Sequence, residues 1–443
     1  MINIVKISEY NKKQCMNSLK SRSKKVQKDV IISVQKILEE INENGDKALI
    51  KYTNKFDSKK INSENIRVTS KEIKKAYELV DEKFIEAIKI AKENILFYHE
   101  KQKQRSWMVT KEDGIILGQQ IRALETVGIY VPGGTAAYPS SVLMNTLPAK
   151  VAGVEKIVMI TPPSKDGSVN PNILVAANIA GVDEIYKAGG AQGIGALAYG
   201  TEIIPKVDKI VGPGNIYVAM AKRSVYGFVD IDMIAGPSEI LIIADESSDP
   251  KFISADFMSQ AEHDVLASSI LVTTSEKLAQ KVIKQLNIQI KNLSRKEIIL
   301  TSIKDYGAIF VVDNLEEAIE LANDISPEHL EVMTEDPFTI LGQIKNAGSV
   351  FLGKYAPEPL GDYMAGPNHV LPTSGSARFF SPLSVDDYIK KSSFTYYTKR
   401  ALEKVKDVTV TMAETEGLTA HANSIRVRFD NNNFHFSKML SLN

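Results

Sequence analysis

Val127-Gly-Ile-Tyr130-Val131-Pro132-Gly-Gly134 is an apolar run of strand length that breaks into a glycine turn. A helix is expected over 141–152, after which Lys156-Ile-Val-Met-Ile-Thr161 resumes as a strand. The beat then repeats. Pro171 opens a helix that Gly181 ends, Glu184-Ile-Tyr186 is a strand, 191–199 a helix and Lys209-Ile-Val211 a strand, with a helix over 215–226 and a strand over 229–234. Strand, helix, strand at such short intervals means right-handed crossovers and a parallel sheet covered on both faces. A second alternating series runs from 238 to 353, its strands expected at 240–244, 270–273, 308–312, 330–333 and 350–352.

The fold class is therefore α/β, with two Rossmann-like parallel-sheet domains, a helical N-terminal arm and a small C-terminal helical segment. The expected layout is an arm over 1–25, a helical part over 26–126 that joins the second α/β domain, a first α/β domain over 127–237, a second over 238–384 and a C-terminal segment over 385–443. Within the helical part, one helix over 26–44 is closed by Gly45, an extended piece lies at 66–69, and a longer helix is expected over 71–104. No chemistry is visible there. The stretch 355–384 is rich in Gly, Pro and Ser, and a connection of that length inside a compact enzyme is usually functional. Beyond it, 385–405 and 413–425 read as helices, too small a piece to fold alone.

With 443 residues, 44% of them hydrophobic and 24% charged, the chain has the composition of a globular protein with a large core. Lys plus Arg at 54 balances Asp plus Glu at 54, so nothing favours nucleic acid or an anionic membrane as a partner. No apolar run reaches membrane-spanning length, and Glu9, Tyr10 and Asn11 interrupt any signal-peptide core, so a cytoplasmic protein is expected. The lone cysteine, Cys15, excludes an internal disulfide and a thiolate metal cluster, and its distance from every motif makes it a bystander.

In open α/β sheets ligands bind beyond the carboxyl ends of strands. Tyr130-Val-Pro-Gly-Gly134, Gly189-Gly-Ala-Gln192-Gly-Ile-Gly195 and Gly212-Pro-Gly-Asn215 hold that position, and their glycines would let backbone approach a phosphate or simply serve tight turns. None is a Gly-x-Gly-x-x-Gly fingerprint; three such loops together favour a nucleotide. In Gln260-Ala-Glu-His263 the three-residue spacing puts an amide and an imidazole on one face of a helix opened by Asp249-Pro250, which is half a metal site or a solvated surface pair. The missing ligands would come from Asp362 in Leu360-Gly-Asp-Tyr and His421 in Glu416-Gly-Leu-Thr-Ala-His421. Ser326-Pro-Glu328-His329 sets a carboxylate beside an imidazole where a helix gives way to a strand, an arrangement suited to two proton transfers on different atoms. Gly236-Pro-Ser238-Glu239 offers a hydroxyl, or only a turn serine, at the start of the second series.

These blocks, in this order and spacing, together with Asn-His369-Val-Leu-Pro-Thr, resemble histidinol dehydrogenases over nearly the whole chain. The resemblance implies one Zn2+ per subunit on Gln260, His263, Asp362 and His421, with Glu328 and His329 as the acid/base pair. It implies NAD contacts at Tyr130, Gln192 and Asn215, and L-histidinol contacts at Ser238, Glu416, His329 and the metal ligands, with His369 on the substrate side. It also implies a homodimer with shared active sites, the C-terminal segment swapping so that His421 and Glu416 complete the partner's site. The reaction implied is the four-electron oxidation of L-histidinol to L-histidine through the aldehyde, with two NAD and one water. Redox-inert zinc would hold the substrate, and with no well-placed thiol, water must attack the aldehyde. A related alternative oxidises another small alcohol such as sulfopropanediol, although Glu416 suits a nitrogenous substrate better than a sulfonate. From other classes, a zinc hydrolase would leave three glycine-rich loops idle, and a binding protein would leave Glu328 and His329 without a task.

Overall fold

The computed structural model describes residues 2, 4–7, 28–133 and 138–430; Cys15, most of the arm and Gly134 lie outside the described residues. Its strands in chain order are β1 (Ile4–Lys6), β2 (Trp107–Lys111), β3 (Ile115–Ala123), β4 (Thr126–Tyr130), β5 (Lys156–Thr161), β6 (Glu184–Lys187) and β7 (Lys209–Val211). β8 (Asp230–Ile231), β9 (Glu239–Ala244), β10 (Ser268–Thr273), β11 (Ala308–Val311), β12 (His329–Met333), β13 (Ser349–Leu352) and β14 (Ile389–Tyr396) follow. By contacts the chain divides into two compact units, 1–103 with 123–389, and 104–122 with 390–443.

The first unit holds both expected sheets. One has the order β6-β5-β4-β7-β8 and the other β1-β11-β10-β9-β12-β13, and their strands pair in parallel. The strand order reverses between β4 and β7 in the first sheet and between β9 and β12 in the second, which opens a crevice at each reversal. Ile240, Leu241, Ile242 and Ile243 are all buried, as an unbroken apolar strand between two helical layers must be. No described helix is long and apolar enough to cross a membrane.

The helical part 26–126 does not join the second domain as expected. Val34, Leu38 and Ile41 of the helix Lys28–Phe56 share a core with Ile160, Ala191 and Ile194 of the first sheet and its cover. Ile88, Ala91 and Ile95 of the helix Glu82–Glu100 share another with Leu143 and Leu147 on Pro139–Ala152. Gly195 permits the first approach, since a Cβ there would stand 3.0 Å from Leu38. These helices are amphipathic, and amphipathicity says that a face is buried without saying against what. Among the described residues of the arm, β1 belongs to the second sheet, on the edge beside β11.

Three local expectations also change. Gly45 (φ 48°, ψ −127°) kinks the first helix, and the chain continues helical to Phe56. The single helix over 71–104 is two, Ser70–Leu79 and Glu82–Glu100, because Val80 is extended and Asp81 caps the second by accepting from the Lys83 amide. The C-terminal helix over 385–405 is instead a short turn, the strand β14 and the helix Lys399–Thr415.

The second unit contains β2 and β3, paired antiparallel, with β14 on the other side of β3 and the helices Lys399–Thr415 and Thr419–Arg426. Asp113 ties the hairpin to the first of these helices through Arg400 at 2.9 Å and through Lys404.

At the reversal of the first sheet the Gly212 loop is pinned from within. Lys222 donates to the Gly212 carbonyl at 2.9 Å and to Asp232, whose other oxygen accepts from the Gly212 amide at 2.7 Å. Both side chains are buried. Gly212 (φ 109°) passes so close to β4 that a Cβ would lie 2.2 Å from the Tyr130 carbonyl oxygen. Lys222→Met strands the Asp232 carboxylate in the interior, and urea unfolding should show a loss of about 3 kcal/mol or more. A loss too small to measure would mean that the pair does not hold the loop.

Candidate active site

The carboxyl edge of the first sheet opens into a cavity of about 610 Å³ whose lining includes Tyr130, Gln192 and Asn215, the three residues expected to contact NAD. Tyr130 ends β4 and its phenol is buried, which raises its pKa. Gln192 lies in the first turn of the helix Gly190–Tyr199, and Asn215 caps the helix Ile216–Val225 by accepting from the amides of Tyr217 and Val218. Asn215 thus has a structural task whatever else it does. Asp57 reaches the same cavity from the end of the helix Lys28–Phe56, accepting on Oδ2 from the Gly189 amide at 3.1 Å and from Gln192 Nε2 at 3.0 Å. No motif marks Asp57; its adjacency to the glycine loop exists only after folding.

The second cluster lies at the amino edge of the six-stranded sheet, opposite to the edge that the strand-end rule indicates. His329 begins β12 and pairs in register with Ile240 of β9, so Glu328 and His329 stand beside Ser238 and Glu239. The Glu239 amide donates to Glu328 Oε2 at 2.8 Å, and His329 Nδ1 donates to the Glu239 carbonyl at 2.9 Å. Glu328 and His329 approach to 3.6 Å without hydrogen bonding each other. Burial lowers the imidazole to about 4 against the charge of Asp362, which raises it, and burial pushes the Glu328 carboxyl well above the usual carboxylate range. His329 is therefore neutral at pH 7, with Nδ1 protonated and Nε2 available as a base.

Around Nε2 stand further groups. Glu358 Oε1 is 3.7 Å away, and ligand-type atoms of His329, Glu358 and Asp362 lie within 4.8 Å of one another. Burial raises Glu358 to about 9. Burial also pushes Asp362 upward, but its hydrogen bond to His369 and the charges of His369, His329 and His263 prevail and hold it at about 2. His369 makes a 3.2 Å contact through Nε2 with Ser141 Oγ and another through Nδ1 with the Asp362 carbonyl, so it orients Asp362. Gln260 is fully buried, and neither its Oε1 nor its Nε2 has a hydrogen-bond partner among the described residues. The helix Pro250–Ala261 ends before His263, which follows in a turn with its amide bonded to the Gln260 carbonyl at 3.2 Å; the pair is thus at a helix end, not on a helical face.

Glu416 and His421 belong to the second compact unit, where Glu416 caps the helix Lys399–Thr415 and His421 stands in the first turn of Thr419–Arg426; both are exposed. Glu358 escaped the sequence reading although it lies four residues before Asp362 between two prolines, which is helical spacing for a shared face. Glu331 and Asp256 were also missed: both are buried beside this cluster, and burial raises Glu331 well above the carboxylate range and Asp256 to about 6.

The histidinol dehydrogenase family model matches residues 20–429. A histidinol dehydrogenase of Clostridium acetobutylicum is 64% identical over 429 residues, covering 97% of this chain and 99% of that protein. One from Caldanaerobacter subterraneus is 62% identical, covering 94% and 96%. The crystal structure of the Elizabethkingia anophelis histidinol dehydrogenase superposes with a TM-score of 0.91 at 41% identity, covering 97% of this chain and 98% of that one. A couple anchored for proton transfer, a buried polar cluster beside it and a cavity at the first sheet's reversal thus occur in a chain that belongs to the histidinol dehydrogenase family.

Proposed function

We propose that the chain is a zinc- and NAD-dependent enzyme that carries L-histidinol through the aldehyde to L-histidine as a homodimer, each site completed by the second copy. Oxidation of histidinol in histidine biosynthesis follows from the family; the cofactors, the residue roles and the dimer are our reading. The carrying observation is the Gln260 amide, enclosed with both polar atoms unpartnered, a costly arrangement unless something binds there. With His263 and Asp362 close enough for their charges to interact, the donor set of amide oxygen, imidazole and carboxylate fits zinc. Gln260, His263 and Asp362 would hold the ion, with His421 donated by the second copy. Bound there, zinc supplies a fixed positive charge that orients the amino and imidazole nitrogens of the substrate.

Tyr130, Gln192 and Asn215 would hold NAD, which supplies the hydride acceptor. His329 Nε2 takes the hydroxyl proton as the first hydride leaves the carbinol carbon. Glu328 then removes a proton from water as the water oxygen adds to the aldehyde carbon, protonated His329 returns its proton to the former carbonyl oxygen, and the hydrate passes a hydroxyl proton back to His329 as the second hydride departs. Ser238 and, from the second copy, Glu416 would complete the substrate contacts. A sulfopropanediol substrate has no observation in its favour beside relatives this similar that are named histidinol dehydrogenases.

Metal analysis with NADH counting should give one zinc per subunit and two NADH per histidinol; Gln260→Ala should lose the metal, and a variant that retains it would overturn the ligand assignment. Glu328→Gln should spare the first oxidation and slow the second by about 100-fold or more in stopped-flow assays, and equal slowing of both would remove its role. Mixing His421→Asn protein with Glu328→Gln protein, each deficient in forming histidine, should restore histidine formation, since hybrid dimers contain one intact site; no recovery after subunit exchange counts against shared sites. Below about pH 6.5 the unfolded imidazole of His329 binds a proton that the folded one refuses, so its contribution destabilises progressively until about pH 4 and then levels off. The stability difference between parent and His329→Gln should accordingly shift against the parent across that window, and a flat difference would contradict a buried neutral imidazole.

A further inference from the structure

The helix Lys28–Phe56 ends at the nucleotide cavity in a stacked pair of rings and an acid. Tyr52 and Phe56 are nearly parallel, 5.8 Å between centroids and 9° between planes, and both line the cavity with Asp57 next in sequence. Phe56 is the exposed ring of the pair, with the Lys55 ammonium 5.1 Å from its centroid, and an exposed aromatic ring is what a nucleobase stacks on. A carboxylate one residue away is placed to meet the sugar attached to that base.

The carboxylate also occupies a place that would otherwise attract phosphate. The helix Gly190–Tyr199 presents its positive end to the cavity, and Asp57 Oδ2 already takes the Gly189 amide and the Gln192 side chain there. Its Oδ1 makes no hydrogen bond among the described residues and can still accept. Gly189 is required for this approach: a Cβ would lie 3.1 Å from Asp57 Oδ1 and 2.6 Å from Pro162 Cβ. An acceptor that neutralises a helix end suits the hydroxyls of a ribose and repels an added phosphate.

We infer that Asp57 reads the adenosine ribose of the dinucleotide, accepting from its hydroxyl groups on Oδ1 and excluding a 2′-phosphate, so that this residue sets the preference for NAD over NADP. The inference rests on the NAD reading of the cavity given above. It makes Asp57 a specificity residue supplied by a helix outside the sheet, in place of the acid that usually follows a strand in dinucleotide-binding folds.

Calorimetric titration of the full-length protein with NAD, NADP and NAD lacking the adenosine 2′-hydroxyl tests it without turnover. The parent should bind the deoxy analogue about tenfold more weakly than NAD, as loss of a charged hydrogen bond requires, and NADP more weakly still. Asp57→Asn should narrow the gap between NAD and NADP by about tenfold or more, since the repelling charge is gone. A parent that binds NAD and the deoxy analogue alike, or an Asp57→Asn variant with an unchanged NAD to NADP ratio, overturns the inference. The parent titrations stand even if the variant fails to fold. If Gln192→Ala weakens NAD while the Asp57→Asn ratio stays fixed, this inference alone fails; if the parent does not bind NAD, the cavity reading fails with it.

Discussion

The parallel pairing of β12 with β9 is the constraint on which the catalytic arrangement depends. It brings the start of β12 level with the start of β9, so that a single residue, Glu239, presents its amide to Glu328 and its carbonyl to His329. Because both anchors are backbone groups inside a sheet, the carboxylate and the imidazole are fixed relative to each other as rigidly as the strands are. A one-residue slip would turn every side chain of β12 to the opposite face and dissolve the couple. The buried aliphatic run from Ile240 to Ile243 resists such a slip.

Beside the couple, the first unit gathers acids to an unusual degree. Asp256, Glu328, Glu331 and Glu358 are each raised by burial, while Asp362 alone is held low, by the imidazoles around it. Carboxyls this enclosed relieve their mutual repulsion by keeping protons or by sharing a cation. Asp362 is the one whose environment already favours the charged form, as a ligand to a divalent ion would need. His369, bridging Ser141 and Asp362, links that carboxylate to the helix Pro139–Ala152 and hence to the sheet whose carboxyl edge bears the 610 Å³ cavity.

Much of this was legible in the residues. The apolar runs at Lys156–Thr161 and Glu239–Ala244 read as buried strands, and the glycine loops at 189–190 and 212–214 mark the turns after β6 and β7. Gln260, Glu328, His329 and Asp362 stand out through the family resemblance, each motif alone being open to a surface reading, and it is the fold that gathers His329 with Asp362 and Glu328 in the interior. What escaped was whatever depends on which surfaces meet. An amphipathic helix does not name its neighbour, so Lys28–Phe56 was assigned to the wrong sheet and Asp57 was passed over. The strand-end rule located the first crevice and missed the second, where residues preceding the strands form the site. The segment β14 misled because Lys390 and Lys391 interrupt its alternation and its residues are mostly exposed, leaving no period to read.

The second compact unit is assembled from pieces at opposite ends of the polypeptide, the hairpin at 107–123 and everything after 389. A ribosome releases the hairpin early and β14 only after every strand of the two parallel sheets has been made. Until β14 is made, the edge of β3 that it takes must wait unpaired, and Trp107, Met108 and Val109 on β2 stay exposed even in the finished unit. Lys103, Arg105 and Lys111 flank them, and such charges act as gatekeepers that discourage one nascent chain from pairing with the next.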